Sequence, residues 1–134
     1  MSWVADTCLL LDVLDADPIH GIKSAALLDE KSPDGLVVCP ITFIELAPAF
    51  NCKLSFQEEF LQGLGASFSE PWTETDTHNA WEAWGRYIAL KKKGKTGKRP
   101  IADLLIGSFA LRFQGLLTRN KPDFQVLFPT LKLL

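Results

Sequence analysis

The chain has few of the features that several protein classes require. Its three cysteines, Cys8, Cys39 and Cys52, are an odd number and form no C-x-x-C pair. This argues against a disulfide framework or a zinc knuckle and favours a reduced, cytoplasmic protein. No apolar run approaches the length that spans a bilayer, and no basic segment opens a signal peptide, so we expect no membrane association. A net charge of −2 excludes a polycation that binds nucleic acid through bulk charge.

Several catalytic signatures are also missing. The absence of G-x-S-x-G argues against a serine hydrolase. His20 and His78 have no matched partner for a metal or for a nucleophile–base pair. Gly94-Lys95-Thr96 has Ala89 where a P-loop needs its first glycine, and Gly97-Lys98 is followed by Arg99 instead of a hydroxyl residue. A nucleotide-binding α/β domain would need a glycine-rich turn after the first strand, and Asp6 to Leu9 contain no glycine.

Short apolar runs alternate with helical patterns along the whole chain. The apolar runs predict strands at residues 3–5, 36–39, 115–118 and 126–128, with a short edge strand between 65 and 71. The helical patterns cover residues 8–11, 22–29, 43–47, 55–64, 75–90 and 101–113, and Trp81 is expected on the inner side of the fifth. This order predicts one α/β domain over residues 1–134, with a three-layer α/β/α arrangement around a mainly parallel central sheet.

Four acidic residues lie close to the predicted ends of strands or the starts of helices. They are Asp6, Glu45, Asp103 and Asp123. Because ligands of open α/β sheets bind beyond the carboxyl ends of the strands, we expect these acids to converge there. Four carboxylates would repel one another, and a hard divalent cation such as Mg²⁺ or Mn²⁺ would relieve that repulsion.

Each acid also has a simpler interpretation. Asp6 suits a turn or a helix cap, and Glu45 lies three residues after Thr42, the spacing of a capping box. Asp103 would be stabilised by the dipole at the start of a helix, and Asp123 after a proline suits a turn. The set of four is therefore more informative than any one of its members.

Cationic residues are concentrated in one segment. Six of the fourteen fall between Lys91 and Arg99. This segment is consistent with a basic lip that contacts phosphates with salt-dependent affinity, and equally with a solvated loop.

Four stretches together resemble the motifs of PIN domains, in order and in spacing. The first contains Val4-Ala5-Asp6-Thr7 and the second Pro40-Ile41-Thr42-Phe43-Ile44-Glu45. The third contains Arg99-Pro100-Ile101-Ala102-Asp103 and the fourth Leu117-Thr118-Arg119-Asn120-Lys121-Pro122-Asp123-Phe124. The resemblance covers essentially the whole chain and is nearest to the small VapC-type toxins of type II toxin–antitoxin pairs.

The resemblance implies an endoribonuclease that depends on Mg²⁺ or Mn²⁺. The family's acidic metal-binding positions correspond to Asp6, Glu45 and Asp103. Asn120 stands where many members carry an acid, so Asp123 is the nearest candidate for the fourth catalytic position.

The resemblance also implies supporting residues and partners. Hydroxyl or amide side chains that orient a carboxylate or a water would be Thr7, Thr118 and Asn120, and those that hold the RNA backbone would be Lys98, Arg99 and Arg119. Expected partners are an RNA substrate, a cognate antitoxin and a second copy of the chain. The alternative, favoured by Asn120 and the negative net charge, is a PIN-like protein that acts mainly through protein–protein interaction, with weak or no nuclease activity.

Overall fold

The computed structural model describes residues 1–92, 94 and 100–134. Within these residues, four strands alternate with seven helices: β1 (Trp3–Ala5), α1 (Thr7–Leu14), α2 (Gly21–Lys31), β2 (Leu36–Val37), α3 (Pro40–Glu45), α4 (Leu54–Gly63), β3 (Ala66–Ser67), α5 (Glu74–Lys92), α6 (Ile101–Ala110), β4 (Gly115–Leu117) and α7 (Lys121–Leu127). Short 3-10 turns at Ser32–Asp34 and Ala47–Phe50 complete the described secondary structure.

The strands form one sheet in the order β3-β2-β1-β4, and every pairing is parallel. Trp3 lies opposite Leu36 on one side and Gly115 on the other, so β1 is a central strand. The chain leaves β1 toward β2 and β3 and later returns to its other side as β4. The carboxyl ends of β1 and β4 therefore flank the point where the strand order reverses, where open α/β sheets bind ligands.

Helices cover both faces of the sheet, which confirms the predicted three-layer α/β architecture. Successive side chains of β1 point to opposite faces. Val4 belongs to a core with α5, α6 and α7, and Trp3 and Ala5 belong to a second core with α1, α2 and α4. Among the described residues, no helix is both long enough and apolar enough to cross a bilayer.

One predicted strand is wrong. Residues 126–128 were expected to be extended because Val-Leu-Phe is an apolar run, but α7 occupies Lys121–Leu127. Phe124, Leu127 and Phe128 are buried, whereas Val126 is 52% exposed. That burial has helical spacing, and Pro122 in the first turn suits a helix start.

Two further helical details differ from expectation. Helix α3 begins at Pro40 with Cys39 as its N-cap, so Thr42 is buried inside the helix and forms no capping box with Glu45. A proline at the first helical position explains this earlier start. Trp81 was expected in the core but is 77% exposed, and the buried side chains of α5 are those of Asp76, Ala83 and Tyr87.

A buried ion pair fixes α5 against the end of α6. Arg112 donates from Nε to Asp76 Oδ1 at 2.7 Å and from Nη2 to Asp76 Oδ2 at 2.9 Å. The Arg112 guanidinium also lies over the rings of Phe109 and Phe113, at 4.9 and 5.1 Å from their centroids. This bidentate pair helps to set the orientation of α6, the helix that carries Asp103.

Candidate functional site

Asp6 lies directly after β1 and is only 4% exposed. It is the N-cap of α1, and its Oδ1 accepts a hydrogen bond from the backbone N–H of Thr7 at 2.8 Å. Its Oδ2 accepts from the Thr118 hydroxyl at 2.7 Å and from the Cys8 thiol at 3.2 Å. Thr118 directly follows β4, so residues at the carboxyl ends of two neighbouring strands together hold this carboxylate.

Thr7 connects Asp6 to a second acid. The Thr7 hydroxyl donates to Glu45 Oε1 at 2.6 Å and lies 3.0 Å from the hydroxyl of buried Thr42. A hydroxyl has one proton, and a charged acceptor makes the stronger bond, so the Glu45 contact dominates. One residue thus contacts the carboxylates of both Asp6 and Glu45.

Asp103 and Asp123 occupy different places. Asp103 is half-buried in the first turn of α6, a helix that packs against the Glu45 helix, α3. Asp123 is exposed in the first turn of α7, and its backbone N–H donates to the Asn120 carbonyl at 3.2 Å. Across the described residues, no three His, Cys, Asp or Glu side chains are grouped so that they could hold a metal ion. The structure therefore links Asp6 to Glu45 through Thr7, and it does not show the expected four-acid cluster.

The residues after β4 form a second layer of contacts around Asp6. Thr118 is buried, and its hydroxyl oxygen accepts the backbone N–H of Asn120 at 3.0 Å while it donates to Asp6. This contact of Asn120 is made by its main chain. Thr7 and Thr118 both contact acids in the way that a carboxylate-orienting hydroxyl does, and their part in catalysis stays a prediction.

Arg119 has a partner that the sequence analysis did not identify. Its Nε donates to Asp12 Oδ2 at 2.9 Å and its Nη2 to Asp12 Oδ1 at 3.2 Å. Asp12 is 3% exposed and also accepts from the Ser24 hydroxyl at 2.8 Å. The guanidinium predicted to hold RNA is thus committed to an ion pair that ties the loop after β4 to α1 and α2. The sequence feature that could have pointed to Asp12 is its place among the apolar residues of α1, because a buried carboxylate needs a charged or hydrogen-bonding partner.

The ion pair changes the pKa values of both partners. Burial alone would raise the Asp12 pKa, but the hydrogen bonds from Arg119 and Ser24 and the Arg119 charge outweigh it and lower the pKa. The hydrogen bond with Asp12 raises the pKa of Arg119 despite opposing desolvation. Both groups therefore stay charged at neutral pH.

The two remaining cationic residues predicted to bind RNA, Lys98 and Arg99, lie outside the described residues.

Cys8 is a neighbour of the site that the sequence analysis did not identify. Burial, followed by the charge of Asp6, raises the pKa of its thiol to about 11. The thiol is therefore protonated at neutral pH and acts as a donor to Asp6.

The chemistry of these donors suits an oxygen-preferring divalent cation. A carboxylate has about four acceptor positions, and Asp6 uses three of them within the described part of the chain. Glu45 is exposed, and within the described residues its carboxylate accepts a hydrogen bond from the Thr7 hydroxyl. All-oxygen sites of this kind select Mg²⁺ or Mn²⁺ over soft metals.

Comparison with known proteins adds one informative likeness. No protein-family model and no curated protein sequence matches the chain. Among solved structures, the chain is similar to VapBC2 from Rickettsia felis bound to a DNA fragment from their promoter, with a TM-score of 0.65 and 18% identity over 100% of this chain and 98% of the other. The coverage of nearly all of both chains shows that this protein shares the α/β fold of that neighbour.

Proposed function

We propose that this protein is a divalent-metal-dependent endoribonuclease, the toxin of a toxin–antitoxin pair. The observation that carries the proposal is the Asp6 carboxylate at the carboxyl end of β1, held by Thr118 from β4 and joined through Thr7 to Glu45. This arrangement lies at the reversal of strand order, where an α/β sheet binds its ligand. The likeness to VapBC2 supports the toxin–antitoxin part.

The proposed roles follow from the position of each residue. Asp6, Glu45 and Asp103 would hold Mg²⁺ or Mn²⁺, with Asp123 at the outer edge of the site. The bound ion would supply a water of lowered pKa and stabilise charge on the phosphate. Thr7 and Thr118 fix the rotamers of the two contacted carboxylates, so their oxygens are oriented before a ligand arrives.

RNA would lie across the same edge of the sheet. Lys98 and Arg99 are the proposed contacts to its phosphates, because Arg119 is committed to Asp12. Hydrolysis by a water in line with the scissile phosphorus would leave 5′-phosphate and 3′-hydroxyl ends.

The test is RNA cleavage by the purified chain with Mn²⁺, Mg²⁺ or a chelator. Asp6→Asn should reduce cleavage by more than about a hundredfold, since even residues that support metal ligands are worth 10–100-fold. Asn is as good an N-cap as Asp, so α1 should remain intact. Glu59→Gln, a change of the same kind at an exposed acid on α4, is the matched control and should cleave normally.

Metal binding gives a second measurement that needs no substrate. A ligand that binds only the folded chain raises its stability, by about 2.7 kcal/mol at a hundred times the Kd. The melting temperature of the parent and of Glu59→Gln should therefore rise with Mn²⁺, and that of Asp6→Asn should rise much less. Cleavage in the presence of chelator, or full activity of Asp6→Asn, would refute the assignment.

The same proposal includes a cognate antitoxin, a cytoplasmic location and a homodimer. An antitoxin is testable genetically. A small open reading frame should lie next to this one, and expression of this chain alone should arrest growth unless Asp6 is replaced. Co-expression of the neighbouring product should restore growth.

The second candidate is a PIN-like protein that acts through protein–protein interaction. It is favoured by the lack of a three-residue metal-binding group among the described residues and by Asn120 at a position often acidic in the resembled family. If this alternative holds, the Asp6→Asn variant should bind the same partner as the parent chain and should still arrest growth.

A further inference from the structure

Residues 132–134 run parallel to β4, on the side of that strand that faces away from β1. Leu133 pairs with Leu116 of β4. The Leu116 N–H donates to the Lys132 carbonyl at 2.9 Å, and the Leu116 carbonyl accepts the Leu134 N–H at 3.0 Å. We call residues 132–134 the edge segment, because they extend the sheet beyond β4.

A glycine lets the edge segment approach β4 closely. A Cβ placed on Gly115 would overlap the Lys132 carbonyl oxygen and would lie 2.7 Å from the Trp3 ring. Both contacts are closer than van der Waals contact allows, so a larger residue at position 115 would push the edge segment or Trp3 aside. Leu133 packs against the core with α5, α6 and α7, and Leu134 packs against the second core. The edge segment therefore alternates between the two faces of the sheet, as a strand does.

The edge segment reaches the candidate site through Thr118. The Thr118 N–H donates to the Leu134 carbonyl at 2.9 Å, and the Thr118 hydroxyl donates to Asp6 Oδ2 at 2.7 Å. On the other side of β4, the Leu117 carbonyl accepts the Asp6 N–H at 3.0 Å. The main chain around Thr118 is thus held between β1 and the edge segment. Because the rotamer of a side chain depends on its backbone, this placement sets the direction of the Thr118 hydroxyl.

The direction of this hydroxyl matters to Asp6. Within the described chain, Asp6 Oδ2 accepts from the Thr118 hydroxyl at 2.7 Å and from the Cys8 thiol at 3.2 Å. A thiol is the weaker donor, so the hydroxyl contributes more to fixing Oδ2. Asp6 Oδ1 is bound by the Thr7 N–H at 2.8 Å. A shift of Thr118 would leave the carboxylate freer to rotate and would weaken its contact with Thr7 as well.

We propose that the edge segment is a positioning element of the candidate site: the Leu134 carbonyl fixes the main chain of Thr118, whose hydroxyl then orients the Asp6 carboxylate. The inference rests on the proposed function only in what the oriented carboxylate would bind, a divalent cation. Loss of a group that orients a metal-ligating side chain lowers metal affinity by about 10–100-fold. The edge segment acts through Thr118, one contact further out, so we expect an effect at the lower end of that range.

Amide hydrogen exchange in the metal-free chain, with chelator present, tests the positioning directly. The variant is a chain that ends at Leu133, which loses the carbonyl that the Thr118 N–H binds. The Thr7 amide should then exchange about tenfold faster, the change expected when one hydrogen bond is weakened. Leu134→Ala is the matched control, because it removes the side chain, keeps the carbonyl and should leave the exchange of Thr7 unchanged. Amides that join β2 to β3, at the far side of the sheet, should exchange as in the parent in both variants.

Changes at Thr118 show whether the effect passes through its hydroxyl. Thr118→Val removes the hydroxyl and keeps the shape, so the Thr7 amide should already exchange faster, and ending the chain at Leu133 should add nothing further. Thr118→Ser keeps the hydroxyl, so shortening the chain should again accelerate the exchange of Thr7 about tenfold. If the shortened chain fails to fold, Gly115→Ala in the full-length chain displaces the same segment. Gly63→Ala, at a glycine with open space around it, is the control for that change.

A titration of the melting temperature with Mn²⁺ gives the cation-dependent measurement. The apparent Kd should rise about tenfold in the shortened chain and stay at the parent value in Leu134→Ala. Three results would overturn the proposal: a Thr7 amide that shortening does not affect, an equal acceleration in Thr118→Val, or an unchanged Kd in a chain that binds Mn²⁺. A parent chain that binds no Mn²⁺ would instead refute the nuclease, and the exchange rates would still decide the role of the edge segment.

Discussion

The Asp12–Arg119 ion pair offers a sharp test of how the site is held. Asp12→Asn keeps the size of the side chain but removes its charge, and it turns an NH₂ group toward a guanidinium or a hydroxyl. The Asp12 side chain is 4% exposed and the Arg119 side chain is 39% exposed. Neither Asn orientation can accept all three hydrogen bonds that Asp12 accepts from Arg119 and Ser24.

The magnitude follows from this burial. Breaking a fully buried pair costs about 3–5 kcal/mol, and solvent at Arg119 reduces that cost, so we expect a loss of roughly 2–3 kcal/mol. For a domain of this size, that corresponds to a fall in melting temperature of roughly 6–12 °C. Urea unfolding followed by far-UV circular dichroism measures the loss directly.

The pH dependence has a defined sign. The folded-state pKa of Asp12 lies below its usual value of 3.8. The contribution of the ion pair to the free energy of unfolding is therefore fully present at pH values above 3.8. The contribution is lost as the pH falls through the lower folded-state pKa. The difference in stability between the parent and Asp12→Asn should therefore be constant from pH 7 to about pH 5 and shrink below pH 4.

Asp15→Asn supplies the control, since Asp15 is exposed at the C-cap of the same helix. Its replacement should change stability by less than about 0.5 kcal/mol. Equal unfolding midpoints for Asp12→Asn and Asp15→Asn at pH 7 would refute the ion pair as a structural contact. Arg119 would then be available again as an RNA-binding residue.

Two further predictions concern packing and thiol chemistry. Gly107→Ala should lower the free energy of unfolding, measured by thermal unfolding, by about 1–3 kcal/mol, because the added methyl would overlap the ring of Phe128. Gly85→Ala should raise it, because a Cβ at position 85 meets no atom within 4 Å and alanine favours the helix. In a thiol titration at pH 8, exposed Cys52 should react first and Cys8 only slowly, because its pKa of about 11 leaves little thiolate. Fast modification of Cys8 in the folded protein would show that its thiol does not donate to Asp6.

The strands were predictable where a short apolar run ended at a strong stop signal. The run 3–5 stops at Asp6 and the run 36–39 stops at Pro40, and both became parallel strands, although β2 is shorter than expected. The apolar run at 126–128 is also short and apolar, but Pro122 lies in the first turn of a helix that continues into this run. Its helical burial depends on packing against the rest of the core, which local composition does not contain.

The face of α5 was less predictable than its existence. Tryptophans at positions 81 and 84 lie three residues apart, so helical spacing allowed both to face the core. The structure buries Asp76 instead, because Arg112 from the end of α6 neutralises it. A contact between residues 36 positions apart decided which side of the helix faces inward.

The same distinction applies to the candidate site. Asp6 and Glu45 were identifiable from sequence because each lies just beyond a predicted strand or early in the following helix. Thr7 joins them across 38 positions, and Thr118 reaches Asp6 across 112. The resemblance implied that Arg119 holds RNA, and its ion pair with Asp12, 107 positions away, became visible only in the structure.

The sequence by itself determined the alternation of strands and helices, because hydrophobic periodicity and proline positions act within a few residues. It also determined which acids could serve a metal, since residue type sets the ligand chemistry. Only the tertiary structure decided which hydroxyls hold Asp6, which cation is committed to Asp12 and which side of α5 faces solvent. These outcomes depend on contacts between segments distant in the chain. The contacts of Asp6 and Asp12 form only when the parallel sheet brings the ends of β1 and β4 together, and the orientation of α5 depends on Arg112 from the end of α6.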